Sequence, residues 1–177
     1  MAQDQARHVK LDMFKAVQIA KLTQLKQQHS NARIAEIIDL YLIPKLQHLR
    51  AMDLSDYIFA LYLASKEFSI IFEELIPSEQ EVDELIKQKN KLYYFKAKYL
   101  ARLMRLRKEL KQKYAEKADR IETLIFEIAP KLANLRRHML TDYLFTITLA
   151  CREFSVFCQL VPAENEIKTL FVVPYEE

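Results

Sequence analysis

The side chains that carry most catalysis and metal binding in proteins are few in this sequence and widely spaced. The four histidines are His8, His29, His48 and His138, and none lies in an H-x-x-x-H or E-x-x-H pattern. Di-iron helical bundles need Glu-x-x-His pairs, and serine or cysteine nucleophiles need a base that is not recognisable here. The sequence therefore predicts no catalytic residues, no metal and no cofactor. It favours a non-enzymatic protein and leaves enzymatic activity open.

The two cysteines, Cys151 and Cys158, lie seven residues apart on one predicted helix. Seven residues of α-helix rise about 10 Å, which is too far for a disulfide within the helix. We therefore expect two small core-filling thiols in a reducing compartment. The polar amino terminus and the lack of any long apolar run predict a cytoplasmic chain with no signal peptide and no membrane span.

Two Asp–Glu pairs lie on predicted helices that are otherwise largely apolar: Asp56 with Glu67, and Asp142 with Glu153. A carboxylate on such a helix must be paired, hydrogen-bonded or protonated. One interpretation is a symmetric ligand or metal site in which all four carboxylates face one another. The sequence favours a structural interpretation, an Arg–Glu or Lys–Glu ion pair between neighbouring helices. The two aspartates already fit as acids in the first turn of a helix.

Positive charge is concentrated in one segment of the chain. Residues 87–120 carry 13 basic and 3 acidic side chains, whereas residues 1–86 carry 9 and 13, and residues 121–177 carry 5 and 8. Spacings of four and three place five of these cations and one tyrosine on one predicted helix face, which we call the basic stripe. The basic stripe comprises Lys87, Lys91, Tyr94, Lys98, Arg105 and Lys108.

The basic stripe has three interpretations. It is a solvated face, a surface for an acidic protein partner, or a line of cations that follows a nucleic-acid backbone with Tyr94 available for stacking. The sequence contains no glycine. Phosphate-binding loops and strained nucleophile turns need residues without a Cβ, so the enzyme classes that are built on these loops and turns are excluded. The lack of glycine also disfavours hairpin-rich β folds.

An internal repeat organises the chain. Residues 44–69 and 130–155 align at a constant shift of 86, and fourteen of the 26 positions are identical. We interpret the chain as a tandem duplication, with one unit in residues 1–86 and a second in residues 87–177 that together form one compact domain. Such units bury their faces by packing on each other, so approximate twofold symmetry is expected and a homodimer is plausible.

Each unit is predicted to contain three helices, which we call A, B and C. Apolar periodicity places helix A at 8–29 and 92–116, helix B at 32–52 and 118–138, and helix C at 54–75 and 140–160. Helix B contains Pro44 or Pro130, where a kink or restart is expected. Helix C is apolar on all sides and is predicted to be the centre of each unit.

The segment between the two units is predicted to form one long helix over residues 79–117, with a break near Asn90 as the alternative. The fold prediction is therefore an all-α bundle of six to seven helices. At the other end of the second unit, residues 169–175 are apolar and β-prone, so this tail is expected to fold onto the bundle or to supply a docking strand for a partner.

The leading functional hypothesis is a non-enzymatic interaction protein, such as an adaptor, chaperone or regulator. It would bind a protein partner through the charged helix face or the apolar tail. A nucleic-acid-binding protein that uses helix 87–117 is the alternative. A small-ligand or metal site between the repeats, built on Glu67 and Glu153, is the third possibility.

Overall fold

The computed structural model describes residues 2–87 and 91–172, and every secondary-structure element within these ranges is helical. The prediction of an all-α fold is confirmed. None of the helices in the described ranges is both long and apolar enough to cross a membrane.

The first half of the chain forms six α-helices. They are α1 (Ala2–Gln28), α2 (Ala32–Glu36), α3 (Ile43–Gln47), α4 (Leu54–Glu67), α5 (Ser69–Phe72) and α6 (Glu79–Ile86). A π-helical segment, Ile37–Leu42, joins α2 to α3, and 3-10 turns lie at Ala51–Asp53 and Glu73–Leu75. Side-chain caps fix two of the starts, because Asn31 accepts from the Arg33 amide and Ser78 exchanges hydrogen bonds with Glu81.

The second half forms four α-helices. They are α7 (Lys91–Lys113), α8 (Ala118–Ala133), α9 (Leu140–Glu153) and α10 (Glu164–Val172). The 3-10 turns here are Ala115–Lys117, Arg137–Met139 and Ser155–Leu160. Helices α4 and α9 each span 14 residues, and each follows a 3-10 turn of three residues.

Helix α7 lies at the centre of the molecule and packs against α4, α6 and α8. Its buried side chains point in several directions, as Leu100, Leu103 and Leu106 illustrate. The prediction that helix C is the centre of each unit is therefore wrong in part, because α4 packs against α7 and α8 but leaves Leu63 exposed. In α9 the side chains of Phe145 and Leu149 are exposed, because no described element packs on that side.

The prediction of one long helix over residues 79–117 is wrong, because α6 and α7 form an antiparallel pair. Glu79 of α6 pairs with Arg102 of α7 at 2.9 Å, and Tyr94 donates a hydrogen bond to Asp83. In a continuous helix, positions 83 and 94 would lie about 16 Å apart. The reversal buries the apolar side of α6 against α7. Asn90, the predicted alternative break, lies outside the described residues.

Helix C is also shorter than predicted in both halves. The backbone leaves the helical region at Phe68 (φ −138°, ψ 70°) and at Phe154 (φ −138°, ψ 104°). The Phe154 ring then packs against Tyr114 and Phe157, with ring centres 5.5 and 6.2 Å away. Neither glycine nor proline marks these breaks in the sequence, and the Phe68 ring packs against Phe72, only four residues later.

The two prolines of helix B behave differently. Pro44 lies in the first turn of α3, directly after the π segment, where its missing N–H is tolerated. Helix α8 instead continues through Pro130 to Ala133. The hydrogen-bond pattern thus changes from π to α next to the first proline without a break in the helix, whereas the expected restart is absent at Pro130, which lies inside α8.

The π segment fits a difference in spacing between the two halves. Arg33 and Pro44 are eleven residues apart (44 − 33), whereas Arg120 and Pro130 are ten apart (130 − 120). The amide of Ile43 donates to the carbonyl of Ile38, five residues earlier, which is the hydrogen bond of a π-helix. The extra residue of the first half thus fits into a wider turn and leaves the helix unbroken.

Candidate binding site

The basic stripe does not form one exposed face. Lys87, Arg105 and Lys108 are exposed. Lys91, Tyr94 and Lys98 are half-buried, and Ala101, which lies between Lys98 and Arg105, is buried. Helix α6 covers this side of α7, because acidic residues of α6 form ion pairs with cations of α7. Of the exposed cations, Lys87 follows the end of α6, whereas Arg105 and Lys108 lie in the second half of α7.

Three side chains of the stripe have partners within the molecule. The Tyr94 hydroxyl donates to Asp83, and burial followed by that hydrogen bond raises the pKa of Tyr94 well above its ordinary value. The Lys98 ammonium lies 5.4 Å from the centre of the Tyr94 ring. Arg105 pairs with Glu109 at 3.0 Å and with Glu79 at 3.6 Å. Tyr94 is thus already engaged on its hydroxyl and its ring face.

The four predicted carboxylates are not brought together. Glu67 accepts two hydrogen bonds from Arg33 (2.9 and 3.0 Å), and Glu153 accepts two from Arg120 (2.5 and 2.7 Å). These hydrogen bonds hold the pKa of Glu67 and of Glu153 below the ordinary range. Each pair joins a helix of the B segment to the end of α4 or α9.

The two aspartates differ from each other. Asp142 pairs with Lys131 at 2.5 Å, whereas Asp56 lies in a surface depression of about 470 Å³ that Lys45 also lines. Within the described ranges, no three His, Cys, Asp or Glu side chains form a group that could hold a metal ion. Three of the four carboxylates therefore lie in separate ion pairs, and the four do not form one site.

Sequence reasoning missed Arg107, which is 1% exposed. Its guanidinium donates to Glu122 at 2.6 Å and to the Ser65 hydroxyl at 2.7 Å, and it lies 5.2 Å from the Tyr62 ring centre. Arg107 therefore joins α7 to α4 and α8. A signal was present, because Arg107 falls on the apolar stripe of α7 four residues after Leu103.

The two cysteines are neighbours, contrary to the sequence prediction. That prediction assumed one continuous helix, but α9 ends at Glu153 and the chain turns at Phe154. Burial and a hydrogen bond with Cys158 raise the pKa of Cys151 to about 12. Cys151 is half-buried and Cys158 is exposed.

The carboxyl-terminal tail is helical over residues 169–172, so the β-prone prediction is wrong there. Leu170 of α10 is buried, and its carbonyl accepts a hydrogen bond from the Arg137 guanidinium. Glu166, in the first turn of α10, accepts a hydrogen bond from the Tyr99 hydroxyl at 3.0 Å. Acids in the first turn favour helix over strand. The rest of the predicted tail, 173–175, lies outside the described residues.

An apolar groove of about 460 Å³ lies between α4 and the continuous stretch formed by α2, the π segment and α3. We call it the α2–α4 groove. Ile37 and Ala64 form buried parts of its floor, while Tyr41 and Leu63 are 51% and 42% exposed. The complete lining is Arg33, Ile37, Tyr41, Lys45, Ala60, Leu63, Ala64, Lys66 and Glu67.

The ends of the groove are polar. The Arg33–Glu67 ion pair spans from α2 to the end of α4 and closes one end. Lys45 of α3 lies toward the other end. Two of the lining residues, Ile37 and Tyr41, belong to the π segment. The groove was not predictable from one helix alone, because its walls come from two helices and an irregular turn.

Comparison with known proteins gives no relative for this chain. No protein-family model matches it, and neither a curated protein nor a solved structure does. A function for the chain therefore rests on its own residues.

Proposed function

We propose that this protein is a non-enzymatic interaction protein whose α2–α4 groove binds one helix of a protein partner. The observation that supports the proposal is the exposure of Tyr41 and Leu63 over an apolar floor. Large apolar side chains that line a concave surface mark binding sites more often than chance. Tyrosine in particular is enriched among residues that dominate binding energy.

The dimensions of the groove suit a helix. Arg33 and Lys45 are twelve residues apart (45 − 33), which is about 18 Å of helix. A partner helix of about three turns spans that length and presents apolar side chains at positions i, i+4 and i+7 to such a groove. The two walls of the groove, formed by α4 and by the α2–α3 stretch, would flank the partner helix on both sides.

The other surfaces give less support to a binding function. The basic stripe was the basis for the charged-face and nucleic-acid hypotheses. Within it, however, Tyr94 is hydrogen-bonded to Asp83, and Arg105 forms ion pairs with Glu79 and Glu109. A small-ligand site on Glu67 and Glu153 has the same weakness, because both carboxylates pair with arginines. Homodimerisation and a cytoplasmic location stay predictions from the sequence.

We also propose that the two halves derive from one three-helix unit by tandem duplication, with approximate twofold symmetry. The fourteen identities among 26 aligned positions support this origin. The Arg33–Glu67 and Arg120–Glu153 pairs support it further, because both join the B segment to the end of the following helix.

A displayed library of helical peptides tests the binding function. The purified chain is the target, and the Leu63→Glu variant is used for counter-selection. Leu149→Glu is the matched control, because Leu149 aligns with Leu63 at the shift of 86 and is 44% exposed against 42%. We expect the selected peptides to lose binding to the Leu63 variant and to keep it with the Leu149 variant. Peptides that bind all three proteins alike would refute a function for this groove.

A further inference from the structure

The charge of the α2–α4 groove is opposite to that of the half of the chain that contains it. Residues 1–86 carry 9 basic and 13 acidic side chains. The groove is lined by three cations, Arg33, Lys45 and Lys66, and by one carboxylate, Glu67. One third of the cations of this half (3 of 9) therefore line a single groove.

Two of the three cations keep their charge for a partner. Arg33 is committed, because it pairs with Glu67 and with Glu36 at 2.9 Å each. Lys45 and Lys66 form no ion pair among the side chains that the structure describes. The Lys66 ammonium lies 3.7 Å from the centre of the Phe126 ring, a contact that orients it and leaves its charge unneutralised.

The corresponding lysine of the second half is different. Lys131 aligns with Lys45 and pairs with Asp142 at 2.5 Å, whereas Asp56 makes no such pair with Lys45. The aligned lysine is thus neutralised in the half that carries no proposed groove. Charge at the rim of an apolar surface selects partners and accelerates their approach.

We infer that the helix bound by the α2–α4 groove is acidic and amphipathic, with apolar side chains on one face and Asp or Glu near both ends. The inference rests on the proposed function and adds the chemistry of the partner. The apolar face covers Tyr41 and Leu63, and the carboxylates reach Lys45 at one end and Lys66 at the other. These contacts exchange water around exposed cations for ion pairs at the edge of a buried apolar surface.

The peptides selected in the library experiment test this inference separately from the function. Peptides that depend on Leu63 are expected to be enriched in Asp and Glu on either side of the apolar positions. If they depend on Leu63 but are neutral or basic, the binding function stands and the inference of an acidic partner fails. If no selected peptide depends on Leu63, the binding function fails first.

One selected acidic peptide is then synthesised together with a version in which every Glu and Asp is replaced by Lys. We expect the double variant Lys45→Glu, Lys66→Glu to slow association of the acidic peptide about tenfold at low salt and to favour the lysine version. The double variant Lys87→Glu, Lys108→Glu, at two exposed positions outside the groove, is the matched control and should change both rates far less. Equal effects of the groove and control substitutions would overturn the inference.

Two further measurements complete the experiment. Circular dichroism and thermal unfolding establish that the charge variants remain folded, and single variants at Lys45 and Lys66 replace the double variant if it does not fold. Sedimentation of the unbound chain tests a second copy as the occupant. A dimer that becomes a monomer on Leu63→Glu would assign the groove to self-association and overturn the acidic partner.

Discussion

Arg107 of α7 and Glu122 of α8 form an ion pair, with the Arg107 Nε and Glu122 Oε1 atoms 2.6 Å apart. The guanidinium is almost wholly buried, and its other donors reach Ser65 at 2.7 Å and Glu73 at 3.5 Å. A buried cation of this kind depends on its acceptors, because water cannot replace them. The Arg107 side chain of α7 therefore stays buried only when α8 supplies the Glu122 carboxylate.

The first prediction compares the two sides of this pair. Glu122→Ala leaves a buried guanidinium short of acceptors, and we expect it to lower the free energy of unfolding by about 3 kcal/mol. Arg107→Met should cost less, because it removes the buried charge and keeps an apolar side chain of similar length. Urea denaturation of both variants measures the order. A larger loss for Arg107→Met would contradict this account of the pair.

The second prediction concerns acid. Burial opposes ionisation of Glu122, yet hydrogen bonds with Arg107 and Lys111 hold its pKa below the ordinary value of 4.5. A lowered pKa in the folded state means that the pair stabilises the protein above about pH 4.5 and that this stability is lost as the pH falls through the folded-state pKa. The difference in unfolding free energy between wild type and Glu122→Gln should therefore narrow from about pH 6 to about pH 3.

The exposed Glu164, which pairs with Lys168 on α10, gives the control for that titration. Glu164→Gln should change the unfolding free energy little at either pH, because exposed ion pairs contribute little. A constant difference for Glu122→Gln across the same range would show that this carboxylate does not titrate differently in the two states.

The third prediction uses two buried tyrosines of α4. The Tyr62 hydroxyl has no hydrogen-bond partner in the described part of the chain, whereas the Tyr57 hydroxyl donates to Gln18 at 2.5 Å. We expect Tyr62→Phe to raise the free energy of unfolding by about 1 kcal/mol, because it removes an unsatisfied polar group. Tyr57→Phe should lower it by about 1 to 2 kcal/mol, because it leaves the buried Gln18 side-chain oxygen without a donor. Changes of the same sign in both variants would be inconsistent with these contacts.

The fourth prediction concerns thiol reactivity. The raised pKa of Cys151, about 12, keeps it protonated at neutral pH, so we expect iodoacetamide to modify the exposed Cys158 first. Cys158→Ser changes the hydrogen bond that contributes to the raised pKa, although burial remains the larger cause. Alkylation of Cys151 should therefore rise only modestly in that variant. Mass spectrometry of digests follows each site, and faster labelling of Cys151 in the wild type would contradict the prediction.

The fifth prediction tests the π segment. Deletion of Leu40, which is 63% exposed, restores the ten-residue spacing found between Arg120 and Pro130. We expect the variant to fold with a regular helix through residues 32–47, since a π turn is less favourable than an α turn. Its affinity for peptides selected on the α2–α4 groove should fall at least as far as that of Leu63→Glu. Retained peptide binding would show that the groove does not depend on the π segment.

Helical periodicity was sufficient to predict the all-α class and most helix starts. Helix α4 begins at Leu54 and α9 at Leu140, as expected from the first-turn acids Asp56 and Asp142. The ends were harder, because neither Gly nor Pro marks the breaks at Phe68 and Phe154. Both breaks fall within the same repeated Glu-Phe-Ser sequence, which helical periodicity does not distinguish from the rest of the helix.

The hairpin of α6 and α7 and the α2–α4 groove were also beyond the sequence pattern. The segment 79–117 contains neither Gly nor Pro, and Asn90, the local signal for a break, does not specify a reversal of direction. What determines it is the complementarity of Glu79 with Arg102 and of the apolar faces, which appears only when both helices are placed. The basic stripe was predicted to be an exposed surface, because α6, the acidic helix that covers part of it, was expected to form one continuous helix with α7.

The wider turn at Ile37–Leu42 keeps the two ends of its helix in phase with the core, because Ile34 before it and Leu46 after it are both buried. The extra residue is therefore confined to the outward side, where Leu40 and Tyr41 protrude. Tyr41 lines the proposed α2–α4 groove, so under the proposed function a substitution there changes the binding surface without repacking the interior. The specificity of the proposed site is then free to diverge independently of folding stability.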